Sequence, residues 1–182
     1  YEPPVQTDFR VELKGGPVAY VAADRELPLV SIAIYVRTGD YVEPESKEGV
    51  IRELVSLLVT AGSIKEKDVP KLVQILLDRE ALGSTGIGQG VAIPHGKAAC
   101  VNRLVGAVGI AAQGRNFDSL DGEPAQIFFL LVAPEDSAGP HLKALARISR
   151  LLKEKHFRDG LRAAKDEKTL LKIIRDEDQR RH

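Results

Sequence analysis

Histidine is the side chain whose ring nitrogen can act as nucleophile or base near neutral pH, and this chain of 182 residues holds four. His182 is the last residue, and His156 lies in the polar run Lys153-Glu154-Lys155-His156, so both read as surface side chains. His95 sits differently. It follows Pro94 and precedes Gly96, at the end of the apolar run Val91-Ala92-Ile93 that leaves a glycine-rich tract. Such a run delivers its last side chain to the rim of a sheet, where loop-borne functional groups gather. Pro94 fixes its own φ, and Gly96 lets the backbone turn sharply. A histidine that only fills space at a strand end satisfies the same local pattern. His141 follows Ala138-Gly139-Pro140 as the first or second residue of an expected helix. Free backbone N–H groups there favour an anionic group, although a capping or packing histidine fits the place too.

Other chemistries find little support. The tract Gly83-Ser84-Thr85-Gly86-Ile87-Gly88-Gln89-Gly90 is neither a dinucleotide fingerprint nor a phosphate loop ending in Gly-Lys-Ser/Thr. It reads as a loop, able to cradle an anion through backbone N–H groups, and its composition alone is a weak signal. No His-Glu-x-x-His, Cys-x-x-Cys or calcium-loop pattern occurs, so no metal site is expected. The single cysteine, Cys100, can form neither an internal disulfide nor a cysteine-based zinc site, which fits a reducing compartment. No Gly-x-Ser-x-Gly elbow is present. Lysine plus arginine and aspartate plus glutamate both number 26, so the net charge is zero and nucleic acid is not an expected partner. No apolar run reaches the roughly 18–20 residues that span a bilayer, and the N-terminus lacks a secretory pattern. The expectation is a cytoplasmic protein. No methionine occurs anywhere, which fits a processed or trimmed polypeptide.

The elements that must position these side chains follow from periodicity. Ser46 is a candidate N-cap for a helix carrying Val50, Ile51, Leu54, Leu57 and Leu58 at helical spacing, with Gly62 as its stop. A second helix is expected from about Lys67 to Leu82, with Pro70 in its first turn and Leu72, Val73, Leu76 and Leu77 on one face. Leu104–Ala111 and Gln126–Ala133 read as strands, separated by the polar, turn-rich segment 116–124. Three helices follow: one opening near Gly139 to His141, a short one over Phe157–Ala164, and one carrying Leu170, Leu171, Ile173 and Ile174. The charged end, Arg175 to His182, reads as solvated and frayed. This order indicates an α/β (α+β) domain, a mixed β-sheet flanked by helices behind a β-rich N-terminal extension.

The stretch from Arg79-Glu80 through Gly83-Ser84-Thr85-Gly86-Ile87-Gly88-Gln89-Gly90 to Pro94-His95-Gly96 closely resembles the signature of enzyme IIA domains. These belong to the bacterial phosphoenolpyruvate-dependent phosphotransferase system, here its fructose/mannitol type with the nitrogen-regulatory branch. Phe117 to Pro124, Phe128 to Pro134 and His141 to Leu145 extend the likeness over about Lys47 to Asp178. The resemblance implies a phosphotransferase in which His95 accepts phosphate from HPr, with His141 beside the phosphohistidine and Arg79 near it. It implies no metal or cofactor. The phosphate would pass to a IIB domain, or act by changing the binding of a regulatory target. Thr85 and Gln89 are candidates for polar support of the phosphate. The competing reading is a non-enzymatic binding module on the same fold, whose binding would survive replacement of His95 by alanine.

Residues 1–45 fall outside that resemblance. Val11–Leu13, Val18–Ala22 and Val30–Val36 are β-rich runs, and Gly15-Gly16 is a turn signal. Residues 10–45 weakly resemble the opening strands of insulinase/pitrilysin-like peptidases, but the zinc motif His-x-x-Glu-His is absent, so no peptidase activity is expected. An accidental likeness, a natural fusion and a chimera joined near Glu48-Gly49 all account for the segment. The expected organisation is an extension over 1–45, the enzyme IIA-like domain over 46–178 and a frayed tail over 179–182.

Overall fold

The computed structural model describes residues 46–180 and three strand segments before them, Arg10–Glu12 (β1), Val18–Tyr20 (β2) and Val30–Ser31 (β3). Helix α1, Lys47–Thr60, starts where Ser46 Oγ accepts a hydrogen bond from Gly49 N at 3.1 Å. It ends where Gly62, at φ 67°, lets Ser63 N reach back to Leu58 O at 2.9 Å, closing a Schellman motif. Helix α2, Val69–Ala81, follows a 3-10 turn at Glu66–Asp68 and buries Leu72, Val73 and Leu76.

The glycine-rich tract is a hairpin, not the expected open loop. Strand β4, Gly86–Gly88, pairs antiparallel with β5, Val91–Ala92. Gln89 at φ 57° and Gly90 at φ 75° supply the two left-handed positions of a tight two-residue turn. Strand β6, His95–Lys97, then pairs parallel with β8, Ala125–Ala133, which is also antiparallel to β7, Val105–Arg115. The sheet order is β3-β7-β8-β5-β4, with β6 also on β8. The chain thus lays β5 and β6 along β8 in succession, Val91 opposite Ile127 and His95 opposite Leu131.

Successive side chains of β8 alternate between two cores. Phe128, Leu130 and Val132 join the cluster under α1 and α2. Ile127, Phe129, Leu131 and Ala133 join the cluster under α3 (Ala138–Leu152), α4 (Lys155–Ala163) and α5 (Glu167–Gln179). The sheet is therefore covered on both faces, the expected mixed sheet flanked by helices. Gly109 permits the close approach of α1, since a Cβ there would lie 3.1 Å from Leu54 Cδ2.

The sequence expectations need three more corrections here. Strand β7 runs four residues beyond Ala111, to Arg115. Helix α3 begins at Ala138, so His141 is its fourth residue and not its first or second. Arg175 to Gln179 are not frayed, because α5 continues to Gln179 and buries Glu177 and Asp178. Asp178 pairs with Arg147, and Glu177 Oε2 lies 3.0 Å from His156 Nε2. His182, the Gly15-Gly16 turn and most of the strand expected at 30–36 lie outside the described residues. Among the described residues, no helix is long and apolar enough to cross a membrane.

Candidate functional site

His95 opens β6, with its ring held by its own local backbone. Its Nδ1 lies 2.8 Å from the carbonyl oxygen of Ile93. A carbonyl only accepts, so Nδ1 carries the ring proton and Nε2 is left with the lone pair. The role expected of Gly96 is corrected: it has no left-handed φ. It is needed for space, since a Cβ there would meet Ile75 Cγ2 at 3.2 Å and Leu76 Cδ2 at 3.3 Å on α2. Glycine thus lets β6 lie directly on α2.

His141 approaches from the opposite layer. Its ring centroid is 5.7 Å from that of His95, the planes tilted by 47°. The ring is buried, and its Nδ1 finds no hydrogen-bond partner in the fold. It stands in the first turns of α3, whose opening N–H groups lack intrahelical acceptors and give that end positive character. Burial pushes the His95 pKa below its ordinary value, and the Arg79 cation adds to this, against the Ile93 hydrogen bond and the Glu80 carboxylate. Burial also lowers that of His141, helped by repulsion from His95 and Lys97. Both rings are thereby favoured in the neutral state, the form in which Nε2 of His95 is a nucleophile.

Of the other candidates, Arg79 belongs to this neighbourhood. It sits in the last turn of α2, its Nη1 donating to Gly83 O at 3.0 Å, and its charge is felt at His95. Thr85 does not offer its hydroxyl to the site: it is buried, and both its N–H (2.7 Å) and its hydroxyl donate to Glu80 Oε1. Gln89 is at the far end of β8. Gly90 O accepts from Ile127 N, whereas His95 lies opposite Leu131, about 13 Å further along the strand. Its backbone is engaged there, N–H to Asp121 Oδ2 at 2.6 Å and carbonyl from Arg162 Nη2 at 2.7 Å. Neither residue is placed to donate to a phosphoryl group on His95.

Sequence reasoning missed a charged group beneath the site. Glu80 is 6% exposed, and its Oε2 lies 3.3 Å from Lys47 Nζ. Lys47 also meets Asp118 Oδ2 at 2.8 Å and stands 5.3 Å over the Phe117 ring. Those two contacts, and the burial nearby, set its pKa: burial opposes the charge, but the bonds to Asp118 and Glu80 outweigh it and raise the value. A signal for Glu80 was present. It falls four residues after Leu76 and seven after Val73, on the apolar face of α2.

Comparison with known proteins agrees with this fold. Residues 38–177 match the family described as phosphoenolpyruvate-dependent sugar phosphotransferase system, EIIA 2. The chain is 39% identical over 138 residues to the PTS system fructose-specific EIIABC component of Bacillus subtilis, covering 76% of this chain but only 21% of that longer protein. It is 37% identical over 129 residues to a nitrogen regulatory protein of Bradyrhizobium diazoefficiens, covering 71% of this chain and 82% of that one. Among solved structures, nitrogen regulatory protein IIA-Ntr from Neisseria meningitidis superimposes with a TM-score of 0.66 at 32% identity, over 78% of this chain and 91% of that one. The chain belongs to the EIIA 2 family of the phosphoenolpyruvate-dependent sugar phosphotransferase system, whose members are phosphotransferases that carry phosphate between proteins.

Proposed function

We propose that His95 is the phosphoacceptor and that Nε2 is the atom that carries the phosphoryl group. The observation that carries this reading is the Nδ1–H bond to Ile93 O, which leaves Nε2 as the nitrogen with a lone pair. In the forward step the Nε2 lone pair attacks phosphorus in line, the P–N bond of the incoming phosphohistidine breaks, and that electron pair returns to the donor ring. The donor in this reading is an HPr-like phosphocarrier. The loaded His95 ring, still protonated on Nδ1, then gives the phosphoryl group to water or to the next protein.

The surroundings support holding the group without locking it. His141 offers a buried ring nitrogen without a partner, which as N–H would donate to a phosphoryl oxygen. The first turn of α3 adds N–H dipoles. Arg79 supplies a permanent charge at the edge, and its tie to Gly83 O keeps it from clamping the phosphate fully. Thr85 and Gln89 donate nothing to the phosphoryl group in this reading. Leu82, at the end of α2, and Leu142, next to His141, are exposed on the two helices that hold the site, as a transient protein-docking surface requires.

The onward acceptor is a IIB domain or a regulatory target. The Bacillus subtilis relative carries the fructose-specific EIIABC designation and the Bradyrhizobium diazoefficiens relative that of a nitrogen regulatory protein, so both classes are candidates. We place the domain over 46–178; the family match spans residues 38–177 and so reaches eight residues before that start. The test is acid-labile phosphate incorporation from phosphoenolpyruvate, enzyme I and HPr. The parent chain should take label and His95→Ala none. Label on neither would favour the binding-module reading.

A further inference from the structure

Glu80 is in an unfavourable place by two criteria. It is buried, and it is the next-to-last residue of α2, where the helix dipole repels an anion. An apolar side chain of similar volume would fill the space at less cost. The bonds that leave it show what the carboxylate does there.

Thr85 N–H donates to Glu80 Oε1 at 2.7 Å. Ile93 N–H donates to Thr85 O at 3.0 Å, the pair that extends the β4–β5 hairpin. His95 Nδ1–H donates to Ile93 O at 2.8 Å. Every donor in this series points the same way, from the imidazole towards the carboxylate. We propose that Glu80 is a positioning residue for His95, the anionic end of an aligned three-bond chain that keeps Nδ1 protonated and offsets the positive charge the ring gains as Nε2 bonds to phosphorus.

The physics is that of a histidine oriented by a carboxylate, with two backbone links in between. Aligned hydrogen bonds polarise one another, each strengthening its neighbour by roughly 10–30% in such surroundings. The Thr85 hydroxyl and Lys47 fix the remaining lone pairs of Glu80, so that the carboxylate cannot rotate away from the Thr85 N–H. The charged and titratable groups that act on His95 are Arg79 and Glu80 from α2, and those that act on His141 are His95 and Lys97, both from β6. Consecutive residues of α2 thus place opposite charges against one imidazole. The Arg79 charge bears on the ring across space, and Glu80 also reaches it through the backbone.

The inference rests on His95 being the phosphoacceptor. Its test reads the unphosphorylated protein, by nitrogen NMR of the histidine rings across pH, for the parent, Glu80→Gln and Glu80→Met. Removal of the charge should move the His95 pKa further down and raise the minor Nε2–H tautomer severalfold, in both variants alike. The initial rate of phosphorylation by phospho-HPr should fall by about tenfold, as for loss of an outer partner of a ligating histidine. A merely structural role would do the opposite, since a loosened, wetter site lets the pKa rise towards its ordinary value of about 6.5. A rise, or an unchanged titration and tautomer, overturns the proposal. Separately, a parent chain that takes no phosphate would refute the carrier reading, and this inference with it.

Discussion

Replacing Lys47 by methionine keeps the apolar stem over Phe117 and deletes the charge that faces Glu80. The Glu80 side chain is 4% exposed and that of Lys47 22%, so the pair is shielded and the orphaned carboxylate cannot recruit water freely. At 3.3 Å, unit charges in an effective dielectric near 20 attract by about 5 kcal/mol. Burial of the ammonium offsets part of that, and a hydrogen bond to a charged group is worth about 1.5–3 kcal/mol net. Asp118 changes little, because its side chain is 70% exposed and exposed pairs are worth about 0–1 kcal/mol. The expected loss is therefore about 2–3 kcal/mol, or a fall in Tm of about 4–12 °C for a chain this size. Urea denaturation with unchanged m-value measures it. The double variant Lys47→Met/Glu80→Gln should recover at least about 1 kcal/mol, since the unpaired charge is gone. A loss under about 0.5 kcal/mol, or a double variant no better than the single one, would refute the claim that Glu80 is held charged and dry.

Further outcomes are expected. Because both rings have lowered pKa values, the initial rate of phosphate uptake should stay level through pH 7 and decline only below about 6.5. For the same reason, the stability these rings contribute is present above about 6.5 and is lost as pH falls through their lower folded values, so His95→Gln should flatten acid unfolding there. Gly90→Ala should cost about 2–3 kcal/mol in urea denaturation, combining a φ of 75° with a Cβ placed 2.6 Å from Arg162 Nη2. Gly122→Ala, at the same φ but in open space, should cost only about 1 kcal/mol. Asp178→Ala should cost about 1–3 kcal/mol through its bond to Arg147, where a frayed tail would show almost none.

The five helices and the two long strands were legible because each repeats its apolar residues at its own period, and because Ser46 and Gly62 mark the ends of α1 with the expected chemistry. The hairpin was not, since strands of two or three residues rich in glycine have too few side chains to show a period. His95 and His141 could be picked as a pair only through the family signature. They are 46 positions apart, and sheet pairing and α3 together bring the rings to 5.7 Å. Thr85 and Gln89 share the signature but not the site: one turns its donors inward to Glu80, and the other lies at the wrong end of β8. The C-terminal charges looked solvated because their partners, Arg147 and His156, are about 20 to 30 residues away in sequence. Charge runs reveal nothing about pairing across helices.

The most direct test of the central claim is phosphorus–nitrogen correlation NMR on the phosphorylated chain with labelled histidines. A single coupling, to Nε2 of His95 with Nδ1 still protonated, is the predicted result. A coupling to Nδ1, or to the ring of His141 or His156, would contradict it.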